Sequence, residues 1–492
     1  MALEGMRFTQ WYSGGPLCTP SRGALLTGRL PIRLGLYTAF NYPADLAFRV
    51  FLPTSTGSLP ANETTLPTLL SEAGYYSALL GKWHLGHVDS LPTRRGFDYF
   101  FGVPYSHDEG FPGAYPLDTV FPPVPVYENE LLVEQPVVLS TLTGRMTERA
   151  LDLLTERAAD GQPFLLVMSY LQPHIPEFSS PEFEGVSRRG HFGDMMEEMD
   201  ASIGLIMARI KELGLDNNTL TMFTSDNGAW PNAQEPLTEA DGMQPAGGSN
   251  GPLREGKGST WEGGMREPTI VRWPGVIPPN KISMEIASHL DIVPTLLDFA
   301  EVDVPSDLII DGKSIVPLLV GDTDVGPHEY FFYWRESNLT AVRYGPWKAH
   351  FVTRPGFGTD EPVYYDPPLI FNLEHDPGES FPVNASSIPD IVATILAAAD
   401  SHKATITRGI PQYETGEGTP IPGNDWRQVP CCDQEAFQNM STRELIESQW
   451  AVCFCNDPKA MERRAARLPK WSNMTDGDLI NLTYRSMIAA DK

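Results

Sequence analysis

The sequence predicts an α/β protein: a large, mainly parallel sheet sandwiched by helices, then a smaller α+β domain with an antiparallel sheet. Three observations carry this reading. Apolar strand-like runs alternate with amphipathic helical patterns through residues 1–320, the order that builds layered α/β structure. A chain of 492 residues with 41% hydrophobic content can bury a large core and divides into two or three domains. Beyond Leu319 the pattern changes to short strands separated by turns.

The elements follow in order. Pro20 cannot sit inside a helix but fits its first turn, and Ala24, Leu25 and Leu26 favour helix, so Cys18 is expected just upstream of a helix N-terminus. Residues 63–73 read as a helix stopped by Gly74, and 75–80 as the strand after it. Residues 164–170 and 219–224 read as buried strands. Between them 194–213 reads as a helix, with Met195, Met199, Ile203, Ile206 and Ile210 on one core-facing stripe. Gly321 to Asp324 and Pro327 form a linker. Strands are expected at 330–334, 340–344, 347–352 and 369–373, and a helix at 388–403. The expected domains are therefore 1–320, 321–406 and a cysteine-containing extension, 407–492.

Charge narrows the partners. Lys and Arg number 36 against 63 Asp and Glu, a formal net charge of −27, which excludes nucleic acid and anionic membrane surfaces as ligands. No apolar run approaches the ~18 residues of a spanning helix. Residues 1–6 lack the basic start and apolar stretch of a secretory signal. Two features nevertheless favour the secretory pathway, lysosomal or extracellular. Seven Asn-x-Ser/Thr acceptors stand at Asn62, Asn217, Asn338, Asn384, Asn439, Asn473 and Asn481, where chance gives roughly two or three. Cys431, Cys432, Cys453 and Cys455 cluster as a local disulfide framework with three possible connectivities. Homo-oligomerisation is left open.

Four strings hold candidate chemistry. Cys18-Thr19-Pro20-Ser21-Arg22 puts a thiol at unpaired helix N–H groups, which attract anions, and a guanidinium fork suited to a tetrahedral oxyanion four residues on. Lys82 and His84 in Gly81-Lys82-Trp83-His84-Leu85-Gly86 are two apart, so on an extended segment they face the same way. Asp226-Asn227-Gly228 directly follows a buried run, and its oxygens are the hard donors that calcium or magnesium takes. Lys257 lies between Gly256 and Gly258, which permit close backbone approach.

Cys-x-Pro-x-Arg running into Leu25-Leu26-Thr27-Gly28-Arg29 resembles the sulfatase signature, and the resemblance continues through most of the chain, within the alkaline-phosphatase-like superfamily. It implies that Cys18 is oxidised to formylglycine by a formylglycine-generating enzyme. It further implies that Asp226, Asn227 and position 18 hold a divalent metal, Ca2+ or Mg2+, and that Lys82, Lys257, His174 and Ser106 bind the sulfate ester. In the implied mechanism the hydrated aldehyde attacks sulfur, Lys257 or His174 assists departure of the alcohol, and His84 helps the second hydroxyl expel sulfate. A protein of net charge −27 repels sulfate unless cations gather locally, and Arg22, Lys82, His84, His174 and Lys257 are those cations.

One departure from the resemblance matters. The family opens with a strand ending in two adjacent aspartates, and no such segment precedes 6–12, which matches the family's next strand. The expectation is an incomplete N-terminus; the alternative is a product with half a metal site. Two classes of function follow: a sulfuric ester hydrolase, with phosphodiester or phosphonate hydrolysis as a neighbouring variant, or an inactive secreted anion-binding protein.

Overall fold

The computed structural model describes residues 1–38, 49–110, 122–231, 233–236, 243–357, 360–413, 429–439, 453 and 455. Acceptors Asn473 and Asn481, and most of the expected 407–492 extension, lie outside the described residues.

Along the chain run β1 (Met6–Tyr12), α1 (Cys18–Thr27), α2 (Pro31–Leu34), α3 (Leu66–Glu72), β2 (Tyr76–Lys82), β3 (Tyr99–Val103), β4 (Val126–Glu128) and β5 (Leu131–Glu134). Then come α4 (Leu139–Asp160), β6 (Phe164–Ser169), α5 (Gly190–Glu212), β7 (Thr221–Phe223), β8 (Gln234–Pro236), β9 (Met243–Pro245), α6 (Glu262–Met265) and β10 (Arg266–Arg272). The rest are β11 (Lys281–Ser283), β12 (Ala287–Ser288), α7 (Ile292–Phe299), α8 (Val316–Val320), β13 (Tyr330–Arg335), β14 (Asn338–Tyr344), β15 (Trp347–Thr353), β16 (Val363–Asn372), α9 (Pro389–Thr405) and α10 (Gln434–Gln438).

The α/β class and the C-terminal antiparallel sheet, β13-β14-β15-β16, stand as expected. The large sheet is mixed rather than mainly parallel. Its described strands form two groups, β11-β1-β10-β7 and β5-β4-β3-β2-β6. β2 runs parallel to β3 and β6, but β10 runs antiparallel to both β1 and β7. The physical reason lies in the connection. Tyr12, at the carboxyl end of β1, pairs with Arg266, the first residue of β10, so the chain enters β10 at that end and must run back.

The carboxyl ends of β6 and β7 meet at Arg22, whose guanidinium reaches Ser169 and Asp226. Below that point both strands line one cavity of about 1570 Å³. The stripe on α5 serves two neighbours: Ile206 and Ile210 pack with Met146, Ala150 and Leu154 of α4, and Met199, Ile203, Ile206 and Ile210 border the cavity. Each fully buried side chain of this size contributes about 1.5–3 kcal/mol.

The C-terminal sheet is tied to the large one by buried charge. Lys348 on β15 lies 2.9 Å from Glu262 and 3.1 Å from Glu379, every partner being fully buried. Its ammonium also donates to the Thr260 carbonyl at 2.9 Å, and the Tyr12 hydroxyl donates to Glu262 at 2.8 Å. Burial would raise the Glu262 carboxyl, but Lys348, Arg343 and Arg266 outweigh it and hold it down at about 2. This cluster pins residues 260–262, a few residues beyond Lys257. The cysteines form Cys431–Cys453 and Cys432–Cys455, one of the three connectivities open from sequence.

Candidate active site

Cys18 is the first residue of α1, not a residue upstream of it. Leu17, in extended conformation, is the cap, and its carbonyl accepts from Ser21 N at 3.0 Å. Pro20 falls third in the helix, where a missing N–H costs nothing because those first groups have no helical partner. The thiol is buried at 3% exposure, and Gly28 ends the helix in the left-handed region at φ 68°.

Lys82, the last residue of β2, is 2% exposed. Its ammonium donates to Ser106 Oγ at 2.8 Å and lies 3.6 Å from Cys18 Sγ. Gly81 is required by packing: a Cβ there would sit 1.9 Å from the Ser169 carbonyl oxygen. The expected extended spacing breaks at His84, which has φ 61° in the left-handed region. Its Nε2 lies 2.8 Å from the Phe51 carbonyl, and its Nδ1 is buried without a partner among the described residues.

Arg22 is a brace. Nε and Nη2 reach Asp226 Oδ2 at 2.9 and 2.8 Å, and Nη1 donates to the Lys82 carbonyl at 2.8 Å and Ser169 Oγ at 2.7 Å. Most of the fork expected to face an oxyanion is thus spent on Asp226 and the strand ends. Burial would push the Asp226 carboxyl up; Arg22, Lys82 and Lys257 outweigh it and hold it well below the carboxylate range.

Asn227 is 8% exposed, and its Oδ1 has no hydrogen-bond partner among the described residues. With Asp226 it fits a hard cation in kind. The set falls short in number: among the described residues no cluster of three His, Cys, Asp or Glu side chains suits a metal ion.

Lys257 Nζ lies 2.6 Å from His174 Nε2. Burial, then Lys257 and Lys82, keep the His174 imidazole well below its ordinary value, so the neutral ring accepts from the ammonium. His174 Nδ1 then carries the hydrogen and donates to the Ile175 carbonyl at 2.6 Å. Gly258 N donates to the Pro16 carbonyl at 2.8 Å, tying this loop to the start of α1. The structure therefore joins Cys18 and Ser106 through Lys82 and pairs Lys257 with His174, and Arg22, Lys82, His174, Asp226, Asn227 and Lys257 line the cavity.

Sequence reasoning missed four neighbours. His289 contacts Ser21 Oγ at 3.0 Å and Thr224 Oγ1 at 3.3 Å. Glu267 is buried with Oε1 unpartnered among the described residues, and burial and then Asp226 raise its carboxyl. His107 Nε2 lies 3.1 Å from the Pro176 carbonyl. Glu109, 4% exposed, lies 3.6 Å from His84 Nε2. The last two lie within three residues of Ser106, but neither forms a motif of its own.

Burial, the largest cause, raises the Glu109 carboxyl to about 7 against an ordinary 4.5. A raised carboxyl supports the fold fully below about 4.5 and loses that support as pH climbs through 7. Glu109→Gln mimics the protonated form, so its melting temperature relative to the unsubstituted protein is expected to be higher at pH 8 than at pH 5. Thermal melts at both pH values check this.

A buried thiol beside one buried ammonium, a second buried ammonium and oxygens at strand ends give this part of the α/β fold the chemistry to hold an anion. Residues 1–302 match the family model "Sulfatase", and 326–455 match "C-terminal region of aryl-sulfatase". The chain is 38% identical over 478 residues to arylsulfatase A of Bos taurus, covering 91% of this chain and 90% of the relative. It is 38% identical over 447 residues to N-acetylgalactosamine-6-sulfatase of Canis lupus familiaris, covering 84% and 81%. Among solved structures it resembles the PsFucS1 sulfatase from Pseudoalteromonas sp. with TM-score 0.70 and 28% identity, covering 85% of each chain. The chain belongs to the sulfatase family and is a sulfuric ester hydrolase. No described helix is long and apolar enough to cross a membrane.

Proposed function

We propose that this chain hydrolyses aryl or carbohydrate sulfate monoesters at position 18, after oxidation of Cys18 to formylglycine by a generating enzyme. One observation carries the reading. Lys82 and Lys257 are buried ammonium groups with no carboxylate in ion-pair range among the described residues, and Lys82 touches the thiol. A buried cation without a counterion is costly, and a bound sulfate removes that cost.

The residues divide the work. When present, formylglycine supplies a hydrated aldehyde hydroxyl as the nucleophile. Lys82 and Ser106 hold sulfate oxygens over position 18. Lys257 holds the bridging side, and neutral His174 draws on the Lys257 ammonium so that a proton is within reach of the departing alcohol. His84 accepts a proton at position 18. Arg22 keeps Asp226 ionised and in place; Asp226 and Asn227 would hold a divalent ion, calcium in this reading, which supplies Lewis acidity. Passage through the secretory pathway is supported by the two disulfides and by exposed acceptors Asn62, Asn338 and Asn439.

The test is expression in a secretory host with formylglycine-generating activity, followed by peptide mass analysis at position 18 and assay with a chromogenic aryl sulfate. Lys82→Met is expected to cost about 10²–10³ in kcat/KM. An unmodified thiol, or cleavage of phosphodiesters with aryl sulfates left intact, overturns the proposal.

A further inference from the structure

A pair of aromatic rings stands beside the Lys257 ammonium and takes no part in the chemistry described above. Lys257 N donates to the Ala229 carbonyl at 2.9 Å, which lays the lysine loop against the residue before Trp230. The Lys257 ammonium lies 5.9 Å from the centroid of the Trp230 ring, within cation–π range. Trp230, Lys257 and His174 border the same cavity. Their neighbours in its lining are small or apolar: Ala233, Gly247, Gly248 and Phe192.

The indole is a fixed surface. Phe357 stacks on it with ring centroids 4.4 Å apart and planes inclined at 26°, and the Arg49 guanidinium lies 5.1 Å from the Phe357 centroid. Of the two rings Trp230 borders the cavity and Phe357 does not, so Phe357 backs the indole. The loop that brings Phe357 there is itself tied down, since the Arg335 guanidinium donates to the carbonyls of Arg354, Pro355 and Gly356 at 3.0, 2.8 and 3.4 Å. Gly356 approaches the lysine loop so closely that a Cβ on it would sit 2.0 Å from the Lys257 carbonyl oxygen.

We propose, building on the reading above, that Trp230 is the specificity-determining residue for the alcohol half of the ester: its indole stacks a flat ring, either an aromatic ring or the C–H face of a sugar. In that reading Lys257 and His174 serve the bridging oxygen, so the carbon skeleton attached to that oxygen lies next to them. The indole is the large apolar surface at that place. A flat ring stacks on it with few rotations to freeze, whereas an open chain must order several bonds to cover the same area.

A purely structural role for Trp230 makes a different prediction. The indole packs with Ile175, Ala233 and Ala246, and its removal would loosen the lysine loop as well as the wall. Loosening Lys257 weakens every anion the site holds, inorganic sulfate included. Loss of a stacking surface weakens only ligands that carry a ring. Inorganic sulfate, which has no alcohol half, therefore separates the two.

The experiment compares the full chain with Trp230→Ala and Trp230→Phe. KM and kcat are measured for 4-nitrophenyl sulfate, and Ki values for inorganic sulfate, galactose 6-sulfate and butyl sulfate as competitive inhibitors. Trp230→Ala is expected to raise KM for the aryl ester about 10-fold, with kcat within about 2-fold because the lost binding is shared by ground and transition states. Ki for inorganic sulfate and for butyl sulfate should stay within about 2-fold, and Trp230→Phe should recover most of KM. A rise in Ki for galactose 6-sulfate shows that the wall also takes a sugar face; no rise restricts it to aromatic rings, and both results support a ring platform. Unchanged KM and Ki for both ring-bearing ligands overturn the proposal. So does a parallel loss for inorganic sulfate, which assigns Trp230 to the lysine loop alone, or for butyl sulfate, which shows that any apolar group suffices. If the unsubstituted protein cleaves no sulfate ester, the hydrolytic reading fails, and calorimetric titration with 4-nitrophenyl sulfate and inorganic sulfate still decides: a preference for the ester that Trp230→Ala removes upholds the platform, and equal affinities overturn it.

Discussion

Cys18→Ser is expected to fold, bind sulfate esters and stop after one turnover, with a sulfate group left on the new hydroxyl. Serine is close to cysteine in size, and Lys82 and the helix N–H groups remain around it, so the substitution leaves the anion pocket in place. In the mechanism proposed above, a hydrated aldehyde at position 18 would carry two hydroxyls, one to attack sulfur and the other, once deprotonated, to expel the sulfate. Serine carries one. Its ester can be cleared only by water attacking sulfur inside a pocket built for a different step. Loss of a nucleophile in a hydrolase costs on the order of 10⁴–10⁶ in kcat. Steady-state assay with a chromogenic aryl sulfate reads the loss, and intact-protein mass after substrate exposure reads the retained group. Sustained turnover at the original rate would show that position 18 needs only a single hydroxyl.

Lys348→Met is expected to be the most damaging single change to stability. The ammonium is fully buried against Glu262 and Glu379, and His350 Nε2 lies 2.6 Å from Glu379. Removing the cation leaves two carboxylates in the interior facing each other's field, a loss of about 3–5 kcal/mol when one partner of a buried pair is deleted. The damage should reach the site, because Lys348 also holds the Thr260 carbonyl and Glu379 accepts from Glu262 N at 2.7 Å. The Lys257 loop loses its anchor, so KM should rise. Denaturant unfolding and KM together check this, and adding Glu379→Gln should recover part of the stability by removing one orphaned charge. A loss under about 1 kcal/mol would mean that water replaces the ammonium.

Much of the fold is legible because periodicity reports burial. The four strands beyond Leu319 appear where alternating or continuous apolar residues place them, and the strand at 6–12 stands where the resemblance to the family puts it. The helix expected at 194–213 spans Gly190–Glu212. Strand direction is not legible, because apolar side chains pack alike whichever way the chain runs. The antiparallel β10 is set by where the loop between β7 and β10 stays, a property of the whole path.

The site divides the same way. Cys18, Lys82, Asp226 and Lys257 stand out in sequence because each sits in a compact motif at a strand or helix end. Glu109, His289 and Glu267 do not: a lone acid or histidine has no pattern until folding brings a partner to it. Glu109 acquires meaning only when β2 and β3 align and the turn after Ser106 closes.

The sequence by itself determined which residue types would carry charge and nucleophile, since motif chemistry is local. The tertiary structure decided which of them are spent and which are free. Arg22 is committed to Asp226, whereas Lys82 and Lys257 keep ammonium hydrogens available. That division depends on desolvation and on distances between segments far apart in the chain, and only the packed molecule sets both.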